Sequence, residues 1–405
     1  MRVLYFHQHF ATPQGSTGTR SYEFARALVA RGHQVTMVCG AHAQSGLELP
    51  IVPDRGWHEG EVDGIKVISL PLAYSNRDSL LRRGFTFARF AVRSMAIALE
   101  FDYDLVFATS TPITAVIPGL AAKFARGKPF VFEVRDLWPE LPRALGLRNP
   151  FILGGMTCLE LAGYSSADAC VGLSPGIVEG IRERAPAHKP VTMIPNGCDL
   201  TLFHPSKRAS LELPGIGPGD FVAGFTGAHG PANGLDALLA VAAELRRRGD
   251  QRIKIIFVGE GKEKERLAAA ARAQGLTQCL FFPSVPKEQL GRLTASLDCG
   301  LMALRNIPAF YRGTSPNKFF DYVAAGIPVV NNYPGWLAGL ISEAEAGLVV
   351  APDNPQAFAD ALQRLAADRK LCDRMGANAR KLAEAHFARG ELAAEFIGVL
   401  EAAAA

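Results

Sequence analysis

Short apolar runs alternate with amphipathic helical stretches along the chain, and that alternation restricts its fold more than any single motif does. Val3–Phe6, Gln34–Cys39, Ile65–Leu70, Leu105–Ala108, Phe130–Val134 and Ala169–Leu173 read as buried strands. The first strand leads into a loop, His7–Thr19, rich in Gly, Ser and Thr, and then into a helix from about Arg20 to Arg31, closed by Gly32-His33 before the next strand. A strand–loop–helix–strand unit of this kind is parallel and right-handed, with its loop at the carboxyl edge of the sheet, where ligands bind. At 405 residues the chain is too long for one core. Ile194–Pro205 has linker composition and Pro214–Gly219 is a second turn-rich patch. Beyond them a second parallel set begins: strand Val222–Phe225, loop Thr226–Gly234, helix Leu235–Arg247, strand Lys254–Val258, helix Lys262–Gln274, strand Leu280–Phe282, helix Gln289–Ser296 and strand Gly300–Ala303. The expected fold class is α/β, with two Rossmann-like domains and a cleft between them. The expected domains are residues 1–200 and 201–385, followed by a C-terminal helix, 386–405, that could cross back to the first domain.

Composition narrows the function classes. A net charge of +4 is too small to make nucleic acid the natural partner. The cysteines are scattered, with no CxxC pair and no Cys/His cluster at zinc spacing, so they read as reduced thiols in a cytoplasmic protein. Met1–Phe6 runs straight into His7 and Gln8, too short for a signal-peptide core, and no apolar run reaches the length of a membrane span.

Chemistry concentrates in a few places. In Ser315–Val330, Ser315 reads as a helix cap with Pro316 at the first helical position, so that Asn317 and Lys318 would offer free N–H groups and a cation to a phosphate. Asp321, one turn further in, could accept hydrogen bonds from a ribose. Gly326 ends the helix and Pro328 prevents its restart. An ordinary capped helix explains this stretch as well, and the stretch alone does not decide. Three more loops of the second half reach the same edge: Thr226–Gly234, with Gly227, His229 and Asn233; Gly259–Lys262, with Gly259, Glu260 and Gly261; and Pro283–Pro286, with Val285. Together with Arg312–Lys318, including Arg312 and Thr314, they suit a nucleotide diphosphate. No DxD pair follows a strand to hold a divalent metal, so Lys318, Arg312 and helix N-termini would neutralise the pyrophosphate, and no cofactor is expected.

In the first half, Arg135, Asp136, Trp138 and Glu140 crowd the end of a buried strand, a density that suggests the lining of a site; a solvated loop accounts for the charges but not for Trp138 beside Pro139. Arg77, Arg82, Arg83, Arg89 and Arg93 alternate with Leu81, Phe85, Phe87, Phe90 and Leu99. That pattern fits a helix lying in an anionic membrane surface and also a helix packed on its own sheet.

The order of these motifs resembles the family 4 glycosyltransferases of the GT-B fold, and within them the WbuB-like branch of bacterial O-antigen, capsule and exopolysaccharide transferases. The resemblance rests on Thr17-Gly18-Thr19-Arg20, Arg135-Asp136-Leu137-Trp138-Pro139-Glu140, Ser174-Pro175-Gly176, Pro195-Asn196-Gly197-Cys198-Asp199, Gly259-Glu260-Gly261 and Ser315-Pro316-Asn317-Lys318-Phe319-Phe320-Asp321-Tyr322. It implies retaining, metal-independent transfer of an N-acetylated hexosamine or deoxyhexosamine from a UDP-sugar to a lipid-linked saccharide or oligosaccharide, by a cytoplasmic protein in peripheral contact with the membrane. Asp136 and Glu140 would serve the acceptor, with Arg135, Trp138 and His7 beside them, and Gly18 and Arg20 would lie near the donor phosphates or the acceptor. Two departures stand out. Where the family carries two glutamates eight positions apart, this chain has Gly313 and Asp321, and Asn233 occupies the place of the usual phosphate-binding lysine. Lys318 would supply the missing charge and is expected among the catalytic groups. A UDP-sugar 2-epimerase of similar fold, or a non-catalytic nucleotide-binding scaffold, are the competing readings.

Overall fold

In a computed structural model, described for residues 1–42, 44–72 and 78–405, the chain separates into two compact units. One comprises Met1–Pro195, Arg312–Thr314 and Gly390–Ala405, the other Asn196–Tyr311 and Ser315–Arg389.

The first unit contains β1 (Arg2–Phe6), α1 (Arg20–Ala30), β2 (Gln34–Gly40), β3 (Ile51–Val52), β4 (Trp57–Val62), β5 (Ile65–Leu70), α2 (Leu80–Glu100), β6 (Leu105–Thr109), α3 (Val116–Arg126), β7 (Phe130–Val134), α4 (Glu140–Ala144), α5 (Pro150–Ser166), β8 (Ala169–Gly172), α6 (Pro175–Arg182) and β9 (Val191–Met193). Its sheet runs β3-β4-β5-β2-β1-β6-β7-β8-β9, parallel from β5 to β9. The central strands are buried on both faces, as parallel strands must be when helices cover them. On one face Phe90 and Ile97 of α2 pack with Phe132 and Tyr164; on the other, Phe24 and Leu28 of α1 pack with Phe396 and Leu400 of the last helix. The Phe24 and Phe396 rings stack at 4.6 Å.

One part of this sheet departs from the expected parallel pattern. β3 and β4 pair antiparallel with each other, and β4 pairs antiparallel with β5, so the edge of the sheet is a mixed addition. β4, Trp57-His58-Glu59-Gly60-Glu61-Val62, is charged and glycine-containing, and the two-residue edge strand β3 pairs only with its Trp57 and His58.

The second unit contains β10 (Phe221–Thr226), α7 (Asp236–Arg247), β11 (Ile253–Val258), α8 (Lys264–Ala273), β12 (Cys279–Phe282), α9 (Lys287–Ser296), β13 (Cys299–Met302), α10 (Pro308–Gly313), α11 (Asn317–Ala324), β14 (Val329–Asn331), α12 (Trp336–Glu343), β15 (Gly347–Val349), α13 (Pro355–Ala367), α14 (Arg369–His386) and α15 (Arg389–Ala404), with Arg312–Gly313 and α15 from Gly390 onward belonging to the first unit. The sheet order is β12-β11-β10-β13-β14-β15, parallel throughout. The order reverses at β10 and β13, and the loops leaving the carboxyl ends on either side of such a switch point form a natural binding crevice. Tyr322 of α11 anchors the helix to that point: its hydroxyl accepts from the Thr226 N–H at 2.9 Å and donates to the Gly224 carbonyl at 3.1 Å. Gly300 is required beneath it, since a Cβ there would lie 2.4 Å from the tyrosine ring.

Candidate functional site

In the second unit the loops after β10 and β11 interlock through glycine. Gly227 has φ +141° and Gly259 φ +149°, and a Cβ on Gly259 would stand 2.0 Å from the Gly227 carbonyl oxygen. The His229 N–H donates to the Glu260 carbonyl at 2.9 Å, and the Glu263 N–H returns a bond to the His229 carbonyl at 3.0 Å. A Cβ on Gly261 would meet that same carbonyl at 2.4 Å. These glycines therefore serve close backbone approach as much as turning.

Lys318, in the first turn of α11, lies over this loop. Its Nζ sits 3.6 Å from where a Gly227 Cβ would be, 4.4 Å above the Phe225 ring and 3.3 Å from Asn233 Oδ1. Burial pushes the lysine pKa down to about 8, with Asp321 opposing the shift. Asn233 therefore positions a cation: its amide nitrogen donates to the Ala228 carbonyl at 2.7 Å while its oxygen faces Lys318.

Other expected donor contacts are placed differently. The ring of His229 is fully buried among Phe225, Phe257 and Phe281, and burial, with Lys264 adding to it, lowers its pKa to about 4. Only its backbone joins the loop lattice. Asp321 is buried and ion-paired with Lys287 at 2.8 Å, a lysine that itself stacks 4.7 Å over Phe203. The Ser315 side chain does not cap the helix: α11 begins at Asn317 after Pro316, the Ser315 carbonyl accepts from Asn196, and its hydroxyl is buried without a partner among the described residues. Glu260 is held below the usual carboxylate range by the Lys264 ammonium at 2.8 Å, which also donates to the Phe282 carbonyl. Val285 packs partly buried against the core on the α9 and α11 side of the sheet. Sequence reasoning missed Lys264 and Lys287. The i,i+4 spacing of Glu260 and Lys264 was a usable signal; nothing local announces a bond from Lys287 to Asp321.

In the first unit, residues at the ends of β1, β6 and β7 converge. The Arg135 N–H donates to Ser110 Oγ at 3.0 Å, and Thr111 Oγ1 donates to Asp136 Oδ2 at 2.8 Å. The Arg135 guanidinium lies 3.2 Å from His7 Nε2. Burial, reinforced by Arg135, keeps His7 neutral. Trp138 is buried beside this loop. Glu140 is ion-paired with Arg184, which also binds Glu160 and the Trp138 carbonyl. That network braces α4 against α5 and engages a carboxylate expected at the acceptor.

Arg20 is likewise engaged by protein groups. It is 1% exposed, bonds Glu133 at 2.7 and 3.0 Å, and donates to the carbonyls of Ile194 and Pro195. All its donors face protein, so it holds the fold where a ligand contact was expected. Gly18 ends the loop before α1, whose first turn is not capped by the Thr19 side chain. Within this unit too, Arg312 pairs with Glu183, Gly313 lies near Ile177, and Thr314 follows.

The sequence matches the Glycosyl transferase 4-like domain over residues 15–197 and the Glycosyl transferases group 1 family over residues 207–382. The chain belongs to the glycosyltransferases of the GT-B fold. Among curated relatives, the chain is 30% identical over 214 residues to D-inositol 3-phosphate glycosyltransferase of Nocardia farcinica, covering 50% of this chain and 46% of that one. It thus spans about half the length of that relative. It is 23% identical over 342 residues to WcaI of Escherichia coli, named as a colanic acid biosynthesis glycosyl transferase, covering 80% of this chain and 82% of the other. Among solved structures, sucrose-phosphate synthase from Thermosynechococcus elongatus superposes with a TM-score of 0.77 at 20% identity, covering 99% and 98% of the two chains. HepE of Anabaena in complex with UDP gives 0.70 at 18%, covering 99% and 100%. The α/β GT-B architecture is thereby established.

Proposed function

We propose that this chain is a retaining, metal-independent family 4 glycosyltransferase that moves an N-acetylated hexosamine or deoxyhexosamine from a UDP-sugar to a lipid-linked saccharide or oligosaccharide in bacterial surface polysaccharide synthesis. The observation that carries the reading is the half-buried Lys318 ammonium set over the Gly227 turn, beside the interlocked glycine backbones of the loops after β10 and β11. A cation there stabilises the negative charge that grows on the departing UDP. The anomeric C–O bond to phosphate breaks, the acceptor oxygen bonds to the anomeric carbon on the same face, and the leaving phosphate oxygen takes the acceptor proton. No dedicated base is needed, and the residues bind, orient and stabilise. HepE, of the same fold, is seen with UDP, which favours a UDP donor, and WcaI carries a polysaccharide-biosynthesis name, which favours this class of pathway.

To Asp136, whose carboxylate accepts from Thr111, we assign the orientation of an acceptor hydroxyl. The membrane contact is assigned to α2; Arg77 lies outside the described residues. The helix carries two apolar stripes. Phe90, Ala91, Ile97 and Ala98 face the core, while Leu81, Phe85, Val92 and Leu99 are exposed at 84%, 65%, 61% and 41%, flanked by exposed Arg82 and Arg89. An outward apolar stripe edged by arginines suits an anionic lipid surface.

The test is calorimetry with UDP and uridine in EDTA. Lys318→Ala should weaken UDP at least about tenfold and leave uridine nearly unchanged, because one charged phosphate contact contributes about 1.5–3 kcal/mol. Equal losses for both ligands would remove the assignment.

A further inference from the structure

Three polar side chains at the carboxyl ends of β1 and β7 have hydrogen-bonding capacity that no described residue uses. The Arg135 guanidinium can only donate, so the His7 Nε2 it meets at 3.2 Å must accept. The His7 proton then sits on Nδ1, a donor that is buried and has no partner among the described residues. Next to it in sequence, Gln8 is 1% exposed, with neither amide atom partnered among the described residues. Arg135 makes no ion pair among the described residues; the nearby Glu133 carboxylate is taken by Arg20 and Thr109, and Asp136 is held by Thr111.

Around this group stand two more imidazoles, which burial keeps neutral, and an arginine. His42 follows β2, with its Nε2 3.0 Å from the Phe10 carbonyl, and the His9 ring lies 6.2 Å from His42 and 6.3 Å from Phe87 of α2. Arg83 lies 5.9 Å over that same Phe87 ring. Water can satisfy an orphan amide, but a half-buried guanidinium without a carboxylate, beside a buried imidazole N–H donor, presents a donor surface that matches an acceptor-only anion.

We propose that Arg135, His7 and Gln8 bind a phosphate group of the acceptor, so that the second substrate is a phosphorylated molecule and not a neutral saccharide. This rests on the glycosyltransferase reading, and it gives that reading an acceptor class. Asp136, next in sequence to the phosphate-binding arginine, would then orient the hydroxyl of an acceptor anchored by its own charge.

The test is calorimetry on protein saturated with UDP, titrated with inorganic pyrophosphate, with farnesyl diphosphate and with glucose 1-phosphate. Wild type should bind at least one of these with UDP in place. Arg135→Gln should weaken that binding at least about tenfold and His7→Asn should weaken it severalfold, with UDP affinity in both variants within about twofold of wild type as evidence of a folded protein. Preference for farnesyl diphosphate identifies a lipid-linked source, and preference for glucose 1-phosphate a soluble one. UDP binding without any phosphate binding, or phosphate binding untouched by both substitutions, overturns the inference while leaving the donor assignment standing. Failure to bind UDP at all overturns both.

Discussion

The Lys318 ammonium sits 4.4 Å above the Phe225 ring and 3.3 Å from the Asn233 side-chain oxygen. Neither neighbour is a full counter-charge, and burial lowers the lysine pKa to about 8. A bound diphosphate would raise it again. UDP binding should therefore take up a proton above pH 8, and affinity should stay flat to about pH 7 and then fall, by up to about tenfold per pH unit, as pH rises past 8. Calorimetry in buffers of different ionisation enthalpy measures the uptake directly. Lys318→Met should abolish both the uptake and the pH dependence. The same lysine works against folding while it is charged, so its contribution to stability improves from about pH 8 toward the unfolded value of 10.5, where only the unfolded chain still binds the proton.

Arg20 and Glu133 form an ion pair with side chains 1% and 0% exposed. Removing one partner leaves a buried charge unpaired, which costs about 3–5 kcal/mol. Arg20→Met should accordingly lower the melting temperature by several degrees or prevent folding, while the folded fraction keeps its UDP affinity. A stable Arg20→Met protein with weakened UDP binding would return Arg20 to the donor site.

Much of the architecture is legible in the amino-acid pattern. The central strands of both sheets fall within a residue or two of the apolar runs, because strands buried on both faces must be apolar throughout. The β3–β4 addition is not legible, since Ile51 is exposed and β4 mixes charge with glycine. The site is legible as loops and only partly as side chains. Lys318 lies in the first turn of α11 and Asp136 just past β7, whereas Arg20, Glu140 and Asp321 are spoken for by Glu133, Arg184 and Lys287. Those partners lie far away in sequence, and local pattern carries no record of such pairing.

Asp136 is held by Thr111 and has no ion pair among the described residues. Asp136→Asn should keep the fold and UDP affinity yet reduce turnover at least about a hundredfold, since the loss falls on acceptor orientation. Steady-state kinetics with UDP binding as control separates the outcomes. Wild-type turnover in a folded Asp136→Asn protein would overturn the role.

The outward stripe of α2 predicts binding to anionic vesicles. Replacing Leu81 and Phe85 with Ser, and Arg82 and Arg89 with Glu, should each weaken sedimentation with phosphatidylglycerol vesicles about tenfold or more, as each surface cation contributes about 1 kcal/mol. The apolar pair should matter at high salt and the arginines mainly at low salt. Unchanged sedimentation would remove the membrane role of the stripe.

Retaining transfer from a UDP-sugar without metal is tested most directly by proton NMR of the chelated protein with a panel of UDP-sugars, water standing in as a slow acceptor. The account predicts that at least one UDP-N-acetylhexosamine or UDP-deoxyhexosamine releases UDP in EDTA, that the free sugar appears first in the donor's own anomeric configuration, and that Lys318→Ala abolishes the release. An inverted first-formed anomer, release that vanishes on chelation, or a UDP-sugar epimerised without loss of UDP would contradict it.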